Sequence, residues 1–169
     1  MINAFDHTPL FRLLGKLEEV ANAKGEVPVK KFTLSLRPAM KDGVAILGNS
    51  DSGIASTMTI FVANIAREFP KEERVPEFIR AVAHEFRHLD QSVSWDELPQ
   101  VGAVATETSA NWDLGTYTED PGEADARDFS NKFLAEHVSE DDVQAIRQWL
   151  NAVFRNASGS EDIVVFGNA

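Results

Sequence analysis

Cysteine is absent from this chain of 169 residues. Disulfide bonds are therefore excluded, and any metal ion must be bound by histidine, aspartate or glutamate. No apolar run approaches the roughly 20 residues that a membrane-spanning helix needs, so we expect no membrane segment. Residues 1–6 show no basic stretch followed by an apolar core, so no signal peptide is predicted. These absences favour a cytoplasmic protein.

Positive charge is also scarce, with 16 lysines and arginines against 27 aspartates and glutamates and a net charge of −11. Binding to nucleic acid is disfavoured because phosphate contacts need clustered lysine and arginine. An acidic surface commonly serves solubility, and the alternative is attraction of a basic partner or a basic substrate segment. With 43% hydrophobic residues the chain can build a core, and its length fits a single domain over residues 1–169.

One motif carries chemistry, since residues 84–88 read His-Glu-Phe-Arg-His and fit the pattern H-E-x-x-H. Two histidines four positions apart lie on one face of a helix, with Cβ atoms about 5–6 Å apart. This spacing lets His84 and His88 reach one small cation with bonds of about 2.0–2.1 Å. Glu85, beside them, can take a proton from a water bound to that cation.

An amphipathic helix is predicted around this motif. Its apolar residues recur at helical spacing and form one buried arc: Phe78, Ile79, Val82, Phe86 and Leu89. His84 and His88 point away from that arc, while Arg80 and Arg87 fall on a third side that we expect to face solvent. A helix of this kind suits a metal cleft, and the alternative is a pair of solvated histidines on a surface helix.

The remaining patterns predict an α+β fold, with a small, mostly antiparallel sheet packed on the motif helix and further helices. Strands are expected at residues 31–37, 43–48, 57–62 and 163–166, with a turn at 49–53. Helices are expected from Thr8 to near Gly25, at 64–69, from Pro76 through the motif, at 120–138 and at 142–156. Residues 92–119 show no clear pattern, and long segments of this kind are often lids or cleft walls.

A catalytic zinc site usually has three protein ligands, so the two histidines need a third. Ser94 and Gln91 exclude the three-histidine pattern of metzincins, and nothing near His137 supports it as a ligand. Glu123 is the preferred candidate because it lies in the first turn of a helix, at the edge of a face expected to be buried. That face carries Ala126, Phe129, Ser130 and Phe133, and its small members would let the helix approach the motif helix closely.

Glu123 also has a purely local alternative role. With Asp120 as N-cap, a glutamate three positions later matches a capping box. Glu119 and Asp120 are the other candidates for the third ligand.

Together these features resemble a zinc metallopeptidase of the gluzincin type, in which H-E-x-x-H is followed by a glutamate on a later helix. Residues 123–130, Glu-Ala-Asp-Ala-Arg-Asp-Phe-Ser, resemble the E-x-x-A-x-x-F-A pattern of small intracellular members, including the ImmA/IrrE group and phage-encoded relatives. Ser130 departs from the pattern, where alanine is usual. The resemblance implies a zincin-like fold over roughly residues 30–138.

The resemblance also implies a function, a zinc-dependent metallopeptidase that hydrolyses peptide bonds. His84, His88 and Glu123 would bind Zn²⁺, and Glu85 would activate a zinc-bound water as general base. Tyr117 would donate a hydrogen bond to the oxyanion, although its alternative role is simple packing.

The substrate implied is a peptide or protein, basic segments included, rather than nucleic acid or membrane. An extended peptide would pair with an exposed sheet edge, for which residues 57–62 are the candidate. The alternative function is an acidic zincin-fold protein that binds or inhibits a basic partner without turnover.

Overall fold

A computed structural model describes residues 6–21, 29–41, 44–45, 47–51, 56–95, 121–157 and 162–167. The α-helices within these residues are α1 (Thr8–Ala21), α2 (Val62–Glu68), α3 (Arg74–Trp95), α4 (Pro121–His137) and α5 (Glu140–Arg155), and a short 3-10 helix at Lys71–Glu73 precedes α3. The strands are β1 (Lys31–Ser35), β2 (Met40–Lys41), β3 (Val44–Ala45), β4 (Gly48–Asp51), β5 (Thr57–Phe61) and β6 (Ile163–Phe166). The fold is therefore mixed α+β, as the sequence predicts.

Four of these strands form one mixed sheet in the order β4-β5-β1-β6. β1 and β5 run parallel, whereas β4 pairs antiparallel with β5 and β6 pairs antiparallel with β1. The predicted mostly antiparallel sheet thus has a parallel pair at its centre, because the chain crosses back through residues 36–56 before β5 begins. Alternating apolar residues hold this pair in the core, and Phe32, Leu34, Met58 and Ile60 are fully buried.

Two details of the predicted sheet are wrong. Residues 57–62 do not form its edge, because β5 lies between β4 and β1, and β4 is the end strand of the sheet as described. The predicted turn at 49–53 begins instead as a strand, since residues 48–51 pair with residues 57–60. Glycine, asparagine, serine and aspartate favour turns locally, and hydrogen bonds to β5 outweigh that preference here. Of the predicted strand at 43–48, Val44–Ala45 forms β3, which pairs with β2, and Gly48 begins β4. Residues 43 and 46 lie outside the described residues.

The motif helix, α3, contacts β4, β5 and all four other helices. Its predicted apolar arc is buried throughout: Phe78, Ile79, Val82, Phe86 and Leu89. Pro76 falls in the first turn, where a missing N–H leaves no helical hydrogen bond unmade. The expectation that Arg87 faces solvent is wrong, because its side chain is 27% exposed and paired with two carboxylates.

The first and last helices, α1 and α5, pack against each other beside α3. Each presents a stripe of buried apolar side chains, Leu10, Leu13, Leu14 and Leu17 in α1 and Ile146, Trp149, Leu150 and Val153 in α5. His7, which directly precedes α1, is half-buried beside this pair. The indole N–H of Trp149 donates to its Nδ1 at 3.1 Å, so this histidine has a structural role.

The long segment without a pattern is described only at its start, where α3 continues through Trp95. Residues 96–119, and with them the predicted lid or cleft wall, lie outside the described residues. Among the helices that the structure describes, none is long and apolar enough to cross a membrane.

A capping box starts α5, and we expect Ser139→Ala to destabilise the fold through it. The Ser139 hydroxyl accepts from the Asp142 N–H at 3.1 Å, and the Asp142 carboxylate accepts from the Ser139 N–H at 2.9 Å. Loss of the hydroxyl should cost about 1 kcal/mol, a fall of roughly 2–4 °C in melting temperature for a protein of this size. Thermal unfolding followed by circular dichroism measures it. Ser139→Thr, which keeps a capping hydroxyl, is the control, and equal melting temperatures for the two variants would contradict the assignment.

Candidate metal centre

Two histidines one turn apart on α3 form the first part of the site. The Nε2 atoms of His84 and His88 lie 3.1 Å apart, and the ring centres are 4.7 Å apart with the planes crossing at 77°. Each side chain keeps 23% of its surface exposed. The opposite face of the helix is fixed in the core, so the backbone that carries the two rings is held rigidly while the rings remain accessible.

Glu123, in the first turn of α4, completes a three-residue group. Its Oε2 lies 3.0 Å from Nε2 of His84, and its Oε1 lies 2.9 Å from Nε2 of His88. The sequence separation between His84 and Glu123 is 39 residues, so tertiary packing alone brings them together. The predicted association of Glu123 with the two histidines is therefore present in the fold.

Small residues let α4 approach α3. Ala126 and Ser130 are buried at 0% and 1% exposure, and Phe133 is buried one turn further on. Ser130 stands where the gluzincin-like pattern has alanine, and its hydroxyl donates to the carbonyl of Arg127 in its own helix at 2.9 Å. Because that hydrogen bond satisfies the buried hydroxyl, serine fits this helix contact as alanine would.

The group of His84, His88 and Glu123 could hold a metal ion, since its three ligand atoms all lie within 4.8 Å of one another. Ligands about 2.0–2.2 Å from a tetrahedral ion would lie roughly 3.3 Å apart, close to the separations found here. Burial alone would raise the pKa of Glu123, but hydrogen bonds and charge from the two histidines hold that pKa well below its usual range. The carboxylate is thus ionised, as a metal ligand must be.

Glu85 lies next to this group and is almost fully buried, with 8% of its surface exposed. The Ser50 hydroxyl of β4 donates to its Oε2 at 2.8 Å. Burial raises the pKa of Glu85, and the two neighbouring histidines and the Ser50 hydrogen bond partly oppose that rise. A carboxylate with a raised pKa beside a metal-binding group has the property that a general base needs at neutral pH.

Strand β4 covers Glu85 at a position where only glycine fits. A Cβ atom on Gly48 would lie 2.7 Å from Cγ and 3.2 Å from Oε1 of Glu85. Sequence reasoning missed both contacts with Glu85, because Gly48 was predicted to end the strand at 43–48 and Ser50 lies in the predicted turn at 49–53. Their spacing of two, which places positions 48 and 50 on one face of a strand, is the signal that could have found them.

Of the other residues considered from the sequence, the structure describes His137, which is not in this group. His137 lies 14 positions after Glu123 on α4, about 21 Å along the helix axis, and stacks on Phe133 at 6.0 Å between ring centres. Tyr117, Glu119 and Asp120 lie outside the described residues. The capping box of Glu123 and the oxyanion role of Tyr117 therefore stay predictions.

A cavity of about 620 Å³ lies elsewhere, between α2, the start of α3 and α5. Val62, Ile65, Val75, Leu150 and Phe154 give it an apolar lining. The lining includes neither Glu85 nor any member of the group of His84, His88 and Glu123. The candidate metal centre at the α3–α4 contact is therefore separate from this cavity.

No protein-family model matches this chain, and comparisons with curated proteins and with solved structures give no significant match. The resemblance to gluzincins thus remains a prediction carried by the H-E-x-x-H motif and Glu123.

We expect Gly48→Ala to destabilise the fold by about 1–3 kcal/mol, the usual cost of overpacking, because the new methyl group overlaps Glu85. In a Glu85→Ala background the Glu85 atoms that the methyl group overlaps are gone and a contact with Ile60 Cδ1 at 3.2 Å remains, so the same change should cost clearly less. Chemical denaturation of the four proteins of this cycle measures both costs. Gly15→Ala on α1, where a Cβ meets nothing within 4 Å, is the control and should not destabilise. An equal cost of Gly48→Ala in both backgrounds would show that β4 does not pack on Glu85 as described.

Proposed function

We propose that this chain is a zinc-dependent metallopeptidase that hydrolyses peptide bonds. The observation that supports it is the combination of His84, His88 and Glu123 within ligand distance with a buried Glu85 beside them. Three protein ligands of the His₂Glu type are typical of catalytic rather than structural zinc sites, because one position stays open. A surface pair of histidines would need neither the third ligand nor the buried carboxylate.

The roles of the residues follow from their positions. His84, His88 and Glu123 would hold the ion, which when bound polarises a carbonyl and acidifies water. Glu85 would take the proton from the attacking water and pass it to the leaving amine. Its Oε2 holds the hydrogen bond from Ser50, so we assign the proton transfer to Oε1. Gly48 and the buried face of α3 keep that carboxylate in place.

Strand β4 is the proposed place for an extended peptide. It ends the described sheet and pairs with β5 on one side only, so its other side can add a strand through main-chain hydrogen bonds. Its residue Ser50 contacts Glu85, so a peptide on this edge would lie near the metal-binding group. The net charge of −11 favours basic substrate segments over acidic ones.

The same net charge favours one alternative, an acidic protein that binds or inhibits a basic partner without turnover. Glu85 separates the two functions, because a binding protein has no use for a buried carboxylate beside its metal ligands. Burying a carboxylate is unfavourable unless it is well paired, so its presence here is better explained by a chemical role.

We expect one zinc ion per chain in the wild type, lost in His84→Ala and in His88→Ala. Glu123→Gln should keep the fold but bind zinc clearly more weakly, because the amide keeps the size of the side chain and removes the charged ligand. Elemental analysis and competition with a chelator measure stoichiometry and affinity, with His137→Ala as the control that should bind normally. Stoichiometric zinc retained in a His84→Ala/His88→Ala double variant would rule out this centre. Unchanged binding in Glu123→Gln would move the third ligand to Glu119 or Asp120.

We expect Glu85→Gln to keep zinc and fold but to hydrolyse peptides on the order of 10²–10⁴-fold more slowly, the usual contribution of a positioned acid–base group. Glutamine preserves the shape and can still accept from Ser50, but it cannot act as a base. A peptide library screened by mass spectrometry measures cleavage by the wild type and the variant, and the variant could trap a substrate for identification. If the biological effect of the protein survives in Glu85→Gln, the acidic binding protein becomes the better description.

A further inference from the structure

Arg87 links the two helices that carry the metal-binding group. From α3 its guanidinium reaches Asp125 on α4, with Nε donating to Oδ2 at 2.7 Å and Nη2 donating to Oδ1 at 3.4 Å. Its Nη1 donates to Asp90 on its own helix at 2.8 Å, and its Cζ lies 5.1 Å from the centre of the Phe129 ring. One side chain therefore holds α4 at two positions one turn apart.

These contacts support the start of α4, where Glu123 lies two residues before Asp125. The first turn of a helix has N–H groups without partners in the helix, and helix ends fray. A ligand must keep its place to within about 0.5 Å, so a carboxylate in a first turn needs support from a neighbouring element. The planar fork of an arginine supplies it, because paired donors fix both the distance and the rotation of the carboxylate that they hold.

We propose that Arg87 is a positioning residue of the metal centre, which sets the place of Glu123 relative to the two histidines by holding Asp125 and Phe129. This inference rests on the metal centre proposed above and concerns the geometry of its third ligand. Partly buried ion pairs add little net stability, because the loss of hydration offsets the attraction. The Arg87–Asp125 pair therefore matters more for where α4 lies than for how stably the chain folds.

A direct effect of charge on the metal ion would look different. Removing the cation of Arg87 would, by Coulomb's law, strengthen the binding of a divalent cation, and removing the anion of Asp125 would weaken it. If the two side chains instead hold Glu123 in place, removing either of them weakens the binding of the metal ion. The sign of the change in an Arg87 variant therefore separates positioning from charge.

The test measures zinc affinity by competition with a chelator for the wild type, Arg87→Gln, Asp125→Asn and the double variant. We expect each single variant to bind zinc about 10–100-fold more weakly, the range for residues that orient metal ligands. The double variant should be no weaker than the poorer single one, because both changes break one link. Arg80→Gln, which removes an arginine of the same helix that pairs with Glu77, should bind like the wild type.

A second measurement reports geometry rather than strength. Co²⁺ in place of Zn²⁺ gives visible absorption that depends on the coordination geometry, and at saturating Co²⁺ this spectrum should change in Arg87→Gln and Asp125→Asn but not in Arg80→Gln. A role in fold stability alone would lower the melting temperature of the metal-free protein and leave the spectrum unchanged. If Arg87→Gln does not fold, the zinc affinity and cobalt spectrum of Asp125→Asn, which removes only a charge, test the positioning role instead.

The outcomes separate this inference from the function on which it rests. Wild-type zinc affinity and cobalt spectra in Arg87→Gln and Asp125→Asn would overturn the positioning role and leave the metal centre intact. Tighter zinc binding in Arg87→Gln would replace positioning by a charge effect. No zinc binding by the wild type would overturn the metal centre itself, and the positioning role with it.

Discussion

The contact between α3 and α4 is the constraint on which the candidate site depends. The histidines are placed by their own helix, but the third ligand arrives only because Ala126 and Ser130 let a second helix lie close. Side chains of larger volume at those positions would push the helices apart, since buried interfaces tolerate little extra volume. The grouping of His84, His88 and Glu123 is therefore a product of helix packing and depends on residues outside the group itself.

A second constraint acts on Glu85 from the sheet. This carboxylate is buried, flanked by two imidazoles and covered by β4, whose glycine gives it room and whose serine donates a hydrogen bond. Glu85 thus connects the end strand of the described sheet with the group of His84, His88 and Glu123. In the proposed function, one strand would hold a substrate beside Glu85, and a hydrolase needs such proximity between substrate and base.

Much of this arrangement was predictable from the sequence, because it follows from helical periodicity. The buried arc of α3, the exposed side of His84 and His88, and the buried face of α4 all obey the spacing of three and four residues. The choice of Glu123 came from the same reasoning, with its resemblance to a known pattern in support. Strand β6 and helix α5 were also predicted, because a short apolar run and helical periodicity are local signals, although α5 begins at Glu140 and not at the predicted residue 142.

Pairings between distant segments could not be predicted in this way. Local composition favours a turn at residues 49–53, so the strand that contacts Glu85 was not foreseen, and neither was the parallel pairing of β1 with β5. Arg87 has the polarity of a surface residue, and only its partner on α4 shows that it is half-buried. In each case the deciding partner lies far away in the sequence, where periodicity carries no information.

The separation between the histidines and Glu123 has a consequence for folding as well as for chemistry. An ion held by both helices would close a loop of 39 residues, as a disulfide does in other proteins, and this chain has no cysteine with which to make one. In the chain-entropy model a covalent link around a loop of that length is worth on the order of 4 kcal/mol, and a ligand bound only by the native state stabilises it in proportion to its affinity. The three side chains that would prepare the reaction would then also act as the cross-link of the fold.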